Sequence, residues 1–316
     1  TLEQAERMLR QRAGGTDRTA YRTLASALSA LPGGNLALIS VPGEYAAAEA
    51  RRALERGLHV MVFSDNVALE DEVDLKQVAR RKGLLMMGPD CGTAILNGVA
   101  LGFANVVKRG PVGIVGASGT GIQEISVFLH RHGPGLSHAI GTGGRDLSAP
   151  VGGMTMRHGI DLLAADAATR VIVLCSKPPD PAVARSVLER AGRCDKPVVV
   201  NFLGGDPQAV SEAGLTPAPT LEAAARRAIA LVEGEEPSWW PQRRPAWVRG
   251  SASSVASTLA ARFARRPCSS WATGWGMFTP TSPSAPNSSW RTPGRARVIR
   301  WSTWERMSSP KDAPTR

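Results

Sequence analysis

The sequence predicts an α/β fold made of two doubly wound parallel-sheet domains, and three observations support this prediction. Short continuous apolar runs alternate with helical stretches, which is typical of parallel sheets covered on both faces. The alternation stops near Pro111 and then starts again, so we expect two sheets. Polar or Gly-rich loops follow the apolar runs, as expected where parallel strands end at a ligand-binding edge.

The first predicted domain, residues 33–108, follows an N-terminal helical remnant at 1–32. Its apolar runs predict three strands, and the stretches between them predict two helices, of which the second ends at Gly83 as a C-cap. The strands are expected at 36–40, 59–64 and 84–88, and the helices at 44–56 and 69–82.

The second predicted domain, residues 111–235, repeats this pattern. Its strands are expected at 112–116, 137–144, 170–176 and 197–205, and its helices at 121–132, 156–165, 181–193 and 221–231. Both domains are predicted to be doubly wound sheets with ligand sites where the strands end.

The net charge of +11 belongs to one end of the chain. Of 38 basic and 27 acidic residues, 13 and 2 lie from Trp239 onwards, so the first 238 residues are neutral. A neutral folded part argues against nucleic acid or a membrane surface as the partner.

The remaining composition favours a reduced, cytoplasmic protein without a metal site. The four cysteines form no C-x-x-C pair, and His and Cys do not cluster at zinc-ligand spacing. We find no signal peptide and no apolar run near the roughly 18 residues that a membrane helix needs. Because the first residue is Thr1, we expect that the sequence starts inside a longer product or has been processed.

Seven polar or Gly-rich loops are predicted at the carboxyl ends of the strands. One such loop is usually a tight turn, but seven on one edge of two sheets favour a phosphorylated or acyl-phosphate ligand. They are 42–45, 64–66, 88–93, 116–121, 141–146, 175–179 and 204–206. The loop GASGTG (116–121) opens a helix whose N–H groups can hold an anion, although it matches neither the P-loop nor the dinucleotide fingerprint.

Six segments, in this order and spacing, resemble the FdrA family, which is similar to the α subunit of succinyl-CoA synthetase. They are VPGEYAAAEA, MVFSDNVALEDE, GLLMMGPDCGT, GIVGASGTGIQE, HAIGTGGRDLS and CSKPP, within residues 35–235. The resemblance implies a CoA-binding-type Rossmann domain followed by a flavodoxin-like ligase domain. It also implies acyl-CoA synthetase-like activity with CoA and ATP, a small-molecule acid as substrate, and a partner subunit or a second copy of the chain.

One departure from the synthetase changes the expected chemistry. The synthetase carries phosphate on a His after the strand that matches 197–205, whereas this sequence has no His after His158. Its acidic Gly-Glu-Ile-Gly loop is here Ser176-Lys177-Pro178-Pro179. We therefore expect a CoA thioester or acyl phosphate to be handled without a phosphohistidine. The alternatives are a subunit of a carbamoyltransferase acting on oxamate and carbamoyl phosphate, and an inactive truncated remnant.

The predicted site residues form three groups. Lys177, Arg145 and Asp146 are predicted to be catalytic, with the cations stabilising or clamping an anionic group. The predicted phosphate-binding residues are Ala117, Ser118, Gly119, Thr120, Gly143 and Gly144. The predicted CoA-binding residues are Pro42, Ser64, Asn66, Pro89, Asp90 and Cys91.

Structural alternatives remain open for several of these residues. Ser118 would serve equally as a helix cap, Arg145 and Asp146 as an ion pair, and Lys177 as a solvated cation. Cys91 has no His beside it in the sequence, which favours a loop-lining role over covalent catalysis.

Residues 240–316 show no periodicity and predict neither strand nor helix. A disordered basic tail is one interpretation, although the eight Trp from Trp239 onwards are unusual for disorder. The other is a frameshift between residues 235 and 255. Residues 256–264 and 301–316, read one nucleotide back, are compatible with GLYSGGTLC and VVDLGEDEFTQGRPHP, which look like the FdrA family's continuation.

Overall fold

The computed structural model describes residues 21–31 and 33–234, together with the backbone of a strand at 297–300. Residues 1–20 of the predicted helical remnant lie outside the described part. Within the described residues, no helix has both the length and the apolar character required to cross a membrane.

The first sheet is built from three short parallel strands. In chain order, its strands and the helices around them are α1 (Leu24–Ala30), β1 (Gly34–Ile39), α2 (Gly43–Glu55), β2 (His59–Val62), α3 (Leu69–Arg81) and β3 (Met86–Met87). Buried alanines of α2 and the apolar side chains of β1 and β2 form one compact apolar cluster.

The second sheet has seven strands in the order β10-β9-β8-β6-β7-β4-β5. Its elements are β4 (Thr93–Leu96), β5 (Val99–Gly102), β6 (Arg109–Gly116), α4 (Gly119–His132), β7 (Leu136–Gly141), α5 (Met154–Ala165), β8 (Val171–Ser176), α6 (Pro181–Gly192), β9 (Val198–Phe202), α7 (Pro207–Glu212), β10 (Thr216–Pro217) and α8 (Leu221–Glu233). Strands β6 to β10 are parallel to one another. The predicted two-sheet α/β fold is therefore confirmed.

Helices cover both faces of the second sheet, which explains its continuous apolar strands. In β8, Val173 packs with α4 and α8 on one face, and Ile172 packs with α5 and α6 on the other. The cluster on the α5 side extends to Leu36 and Met61 of the first sheet. One apolar core thus joins the two sheets.

The hairpin of β4 and β5 is missing from the sequence prediction. Residues 93–102 fall in the predicted first domain, but β4 pairs with β7 and so belongs to the second sheet. The turn residues Asn97 and Gly98 have φ values of 51° and 82°, as a two-residue type I′ turn requires. The dipeptide Asn-Gly between apolar residues was the signal for this hairpin.

The strand β11 (Arg297–Arg300) pairs antiparallel with β1, the outer parallel strand of the first sheet. The prediction that residues 240–316 contain no strand is wrong at these four positions. An edge strand presents unpaired backbone groups, and the sequence Arg-Val-Ile-Arg has two β-branched residues that favour pairing there. The rest of the tail, and with it the frameshift hypothesis, lies outside the described residues.

Candidate functional site

The carboxyl ends of three adjacent strands of the second sheet lie side by side. Gly116 at the end of β6 is in register with Gly141 of β7 on one side and with Cys175 of β8 on the other. The loops that follow these strands therefore start next to one another. They contain the predicted phosphate-binding residues and Lys177.

Helix α4 starts at this edge with Ser118 as its N-cap. Ser118 Oγ accepts a hydrogen bond of 3.2 Å from the Gly121 N–H. The N–H groups of Ser118, Gly119 and Thr120 have no acceptor within helix α4, so they remain available to an anion. Ser118 is thus the N-cap of α4, and this role leaves the three N–H donors available to a ligand.

Ala117 does not contribute a donor to this set. Its N–H donates to the Cys175 carbonyl oxygen at 3.0 Å, and its side chain is buried. The sheet extends its hydrogen bonding by one residue at this point, so the Ala117 N–H is already used within the sheet, and its role in binding phosphate stays a prediction.

The loop after β7 approaches the loop after β3. Gly143 has a φ of 88°, and a methyl group there would collide with the carbonyl oxygen of Pro89. A methyl group at Gly144 would lie 3.0 Å from Asp90 Oδ2 and 3.8 Å from Lys177 Nζ. Glycine at both positions lets the backbone approach these groups closely.

Lys177 and Asp90 therefore face the same space beside Gly144. Both residues are exposed, and within the described residues neither forms an ion pair. We name Lys177, Asp90 and the N–H groups of 118–120 the open cluster, because these groups are accessible to a ligand.

A second set of charged side chains lies at the same edge, and these side chains form ion pairs with one another. Lys76 Nζ on α3 lies 2.9 Å from Glu72 Oε1 and 2.7 Å from Asp146 Oδ1. Arg145 donates to Glu72 Oε2 and, at 2.8 Å, to the Val67 carbonyl oxygen. We name Glu72, Lys76, Arg145 and Asp146 the closed cluster.

Asp146 has a structural position in the closed cluster. It is 0% exposed, and its oxygens accept from the N–H groups of Thr155 at 3.1 Å and Met156 at 2.8 Å. These donors begin α5, whose own N-cap residue, Gly153, has no side chain. Asp146 therefore caps a helix and neutralises Lys76, and both of its oxygens accept hydrogen bonds within the protein, while its predicted catalytic role stays a prediction.

Arg145 is paired with Glu72 rather than with Asp146, so the predicted Arg145–Asp146 pair does not form. Its guanidinium joins α3 to the loop after β7 through Nε and Nη2, and its side chain is 45% exposed, so its role in binding phosphate stays a prediction. Of the three residues predicted to be catalytic, Lys177 is the one in the open cluster.

The residues predicted to bind CoA divide into exposed and buried positions. Pro42, Asn66 and Asp90 are exposed, whereas Ser64, Pro89 and Cys91 are buried. Ser64 Oγ accepts from the Val41 N–H at 3.1 Å and donates to the Val41 carbonyl oxygen at 2.5 Å, which ties two loops of the first sheet together.

Cys91 lies beneath the open cluster as a protonated thiol. Burial raises the pKa of the Cys91 thiol to about 12, and its S–H donates to the Gly141 carbonyl oxygen at 3.4 Å. A thiol with this pKa is a poor nucleophile at neutral pH. The geometry therefore agrees with the predicted loop-lining role.

Three residues at this edge are missing from the sequence prediction. Glu72 and Lys76 belong to the closed cluster, and Phe103 follows the unpredicted hairpin. Phe103 is 69% exposed and makes an edge-to-face contact with Phe63, with ring centroids 5.0 Å apart. Its position depends on the hairpin joining the second sheet, which the Asn-Gly turn signals.

Residues 107–204 match the protein family described as CoA binding domain. This range lies in the second sheet, whereas the sequence places the CoA-binding-type domain at 33–108. That placement stays a prediction.

Curated relatives are similar to parts of this chain. The uncharacterized protein YahF of Escherichia coli (strain K12) is 57% identical over 217 residues, which cover 69% of this chain and 42% of YahF. The α subunit of succinate–CoA ligase (ADP-forming) of Aquifex aeolicus (strain VF5) is 32% identical over 148 residues, covering 45% and 47%. The chain spans about half the length of these curated relatives. It is homologous to succinate–CoA ligase α subunits.

Solved structures share the architecture. ATP citrate lyase from Methanothrix soehngenii, in complex with citrate and coenzyme A, has a TM-score of 0.58 at 17% identity, over 79% of this chain and 47% of that one. The dinucleotide-forming acetyl-coenzyme A synthetase 1 of Ca. Korarchaeum cryptofilum has a TM-score of 0.52 at 19% identity, over 68% and 53%. At these identities the likeness concerns the fold.

Proposed function

We propose that the chain is an FdrA-type, succinate–CoA ligase α-like subunit that holds the phosphoryl group of an acyl phosphate in the open cluster. One observation carries this proposal: the loops that contain the start of α4, Gly143-Gly144 and Lys177 begin at the ends of three adjacent strands. Backbone N–H groups at a helix start together with an ammonium group are a recurrent arrangement for binding phosphate.

The open cluster supplies charge stabilisation. Lys177 Nζ and the N–H groups of 118–120 favour negative charge on a phosphoryl oxygen, including the charge that grows as an acyl phosphate is cleaved. The exposed residues Pro42, Asn66 and Asp90 remain candidates for contacts with CoA, which when bound would supply the acyl-accepting thiol. Cys91 is protonated, and the sequence has no His after His158, so we propose transfer without a covalent phosphoenzyme.

Calorimetric titration of the protein tests the proposal with inorganic phosphate, carbamoyl phosphate, CoA and ATP as separate probes. We expect phosphate and carbamoyl phosphate to bind. We also expect Lys177→Met to lower both affinities about tenfold or more, because a hydrogen bond to a charged group contributes roughly 1.5–3 kcal/mol.

The matched control is Lys82→Met, which removes an exposed lysine that follows the carboxyl end of α3. Equal losses in both variants would show that net charge alone attracts the anion. If neither phosphate nor carbamoyl phosphate binds to the unaltered protein, the proposal fails. Oxamate-dependent release of phosphate from carbamoyl phosphate would identify carbamoyl transfer as the reaction.

A further inference from the structure

We infer that Lys76 is a positioning residue for the open cluster: it holds the segment 142–146, beside which Lys177 and Asp90 lie, without touching the ligand. This inference rests on the proposed function, because it concerns the same site.

Lys76 reaches the segment from the first sheet's side of the molecule. It lies on α3, and its side chain is 1% exposed. Its ammonium group pairs with Glu72 and Asp146 and donates to the Thr142 carbonyl oxygen at 3.1 Å. Two of the three ammonium donors form hydrogen bonds, to Asp146 Oδ1 and to the Thr142 carbonyl oxygen, whereas Glu72 Oε1 is an ion-pair partner without hydrogen-bond geometry. A buried charge with these partners holds a defined geometry.

The closed cluster fixes both ends of a short glycine-containing segment. At one end, the Thr142 N–H donates to the Gly116 carbonyl oxygen at 2.9 Å while its own carbonyl accepts from Lys76. At the other end, Asp146 is fixed by Lys76 and by the start of α5. Gly143 and Gly144 lie between these ends and have no side chain with which to hold themselves. The Gly143 carbonyl oxygen accepts from the Asp146 N–H at 3.3 Å, and Lys76 adds a restraint at both ends of the segment.

The variant Lys76→Met tests this role because it keeps much of the volume and removes the ammonium group. We expect the affinity for inorganic phosphate to fall about tenfold, since small displacements of binding groups are costly. We also expect amide hydrogen exchange at Thr142 and Asp146, whose N–H groups donate to the carbonyl oxygens of Gly116 and Gly143, to become faster by about tenfold or more as local opening becomes easier.

A second variant separates positioning from general destabilisation. Thr155 Oγ donates to the Met86 carbonyl oxygen at 2.9 Å, a buried bond between the same two parts of the molecule. Thr155→Val removes this bond and keeps the N–H that Asp146 accepts, so it lowers stability without releasing segment 142–146. We expect its phosphate affinity to stay within about twofold of the unaltered protein. An equal loss of affinity in both variants would overturn the inference.

Should Lys76→Met fail to fold, Lys76→Arg provides the measurement, because it keeps the charge and changes the donor geometry. We expect folded protein with weaker phosphate binding, and unchanged binding would overturn the inference.

The inference and the proposed function can fail separately. If the unaltered protein binds no phosphate, the proposed function fails, and hydrogen exchange alone then tests the positioning role of Lys76. Unchanged exchange at Thr142 and Asp146 in the variant would then overturn the inference. Binding that is present and insensitive to Lys76 would sink the inference and leave the proposed function standing.

Discussion

The open and closed clusters lie at the same edge of the second sheet, but they differ in whether their charged groups are exposed or are buried and paired. In the closed cluster, Glu72, Lys76 and Asp146 are buried and each is paired with another charge. In the open cluster, Lys177 and Asp90 are exposed, and the N–H groups at the start of α4 remain accessible. Gly144 lies beside the open cluster, and the next residue, Arg145, belongs to the closed cluster.

This difference shows that a polar loop at a strand end can serve the fold or a ligand. Desolvation is the deciding quantity, because a buried charge needs protein partners whereas an exposed one can exchange water for a ligand. Substitutions in the closed cluster should therefore lower stability, and substitutions in the open cluster should change ligand binding.

The largest effect is expected for Asp146→Ala. Removing this carboxylate leaves Lys76 with one fewer buried counter-charge and leaves α5 without its cap, so we expect a loss of about 3–5 kcal/mol in the free energy of unfolding. Denaturant unfolding measures it. The control Asp90→Ala, in the open cluster, should change stability by less than about 0.5 kcal/mol. Similar losses in both variants would contradict the division into two clusters.

The sequence predicts the sheets because their signals are local. Strands buried on both faces leave continuous apolar runs, and glycines mark the loops of the open cluster. The closed cluster has no local signal of this strength, because Lys76 and Asp146 are 70 residues apart and Glu72 and Arg145 are 73 apart. Only the tertiary fold brings them together.

Helix α3 illustrates why its buried charges escape prediction. Its sequence, LEDEVDLKQVARR, is mostly charged and is typical of a helix face in contact with water. The buried positions are Glu72, Leu75, Lys76 and Ala79, which follow the i, i+3, i+4, i+7 pattern of a core-facing stripe. Two opposite charges four residues apart on such a stripe are the signal that identifies this kind of buried pair.

A second prediction concerns a residue that is buried in its neutral form. His59 Nδ1 accepts from the Leu85 N–H at 2.9 Å, and burial, with a smaller contribution from His158, lowers the pKa of His59 to about 4. The unfolded chain binds the proton near pH 6.5, so stability is complete above that pH and is lost as the pH falls towards 4. We expect His59 to account for a loss of about 2 kcal/mol between pH 7 and pH 5.

The variant His59→Asn isolates this contribution because it keeps an acceptor and removes the titrating group. For each protein, the free energies of unfolding at pH 7 and pH 5 give the loss of stability over this range. The loss in the unaltered protein minus the loss in His59→Asn is the contribution of His59. A variant that loses as much stability as the unaltered protein over this range would show that other groups control the acid response.

Ser118 provides a third prediction, since it caps α4 and lies in the open cluster. Ser118→Ala should cost about 1 kcal/mol of stability through loss of the cap. Ser118→Asp keeps a good cap, so its stability should stay within about 0.5 kcal/mol, while its negative charge lowers phosphate affinity about tenfold. Phosphate binding by Ser118→Asp as tight as that of the unaltered protein would remove the start of α4 from the site.

The smallest effect is expected for Asp90→Asn, which removes a carboxylate from beside Lys177 while keeping its shape. Two like charges about 4 Å apart repel by about 1 kcal/mol in water, so we expect inorganic phosphate to bind a fewfold more tightly at low salt. This gain should shrink as the salt concentration rises, because both groups are exposed. The control Asp195→Asn, an exposed carboxylate before β9, should leave the affinity unchanged. If the same Asp90→Asn variant binds CoA more weakly, the carboxylate is a contact for CoA, and the open cluster then balances repulsion of phosphate against recognition of a second ligand.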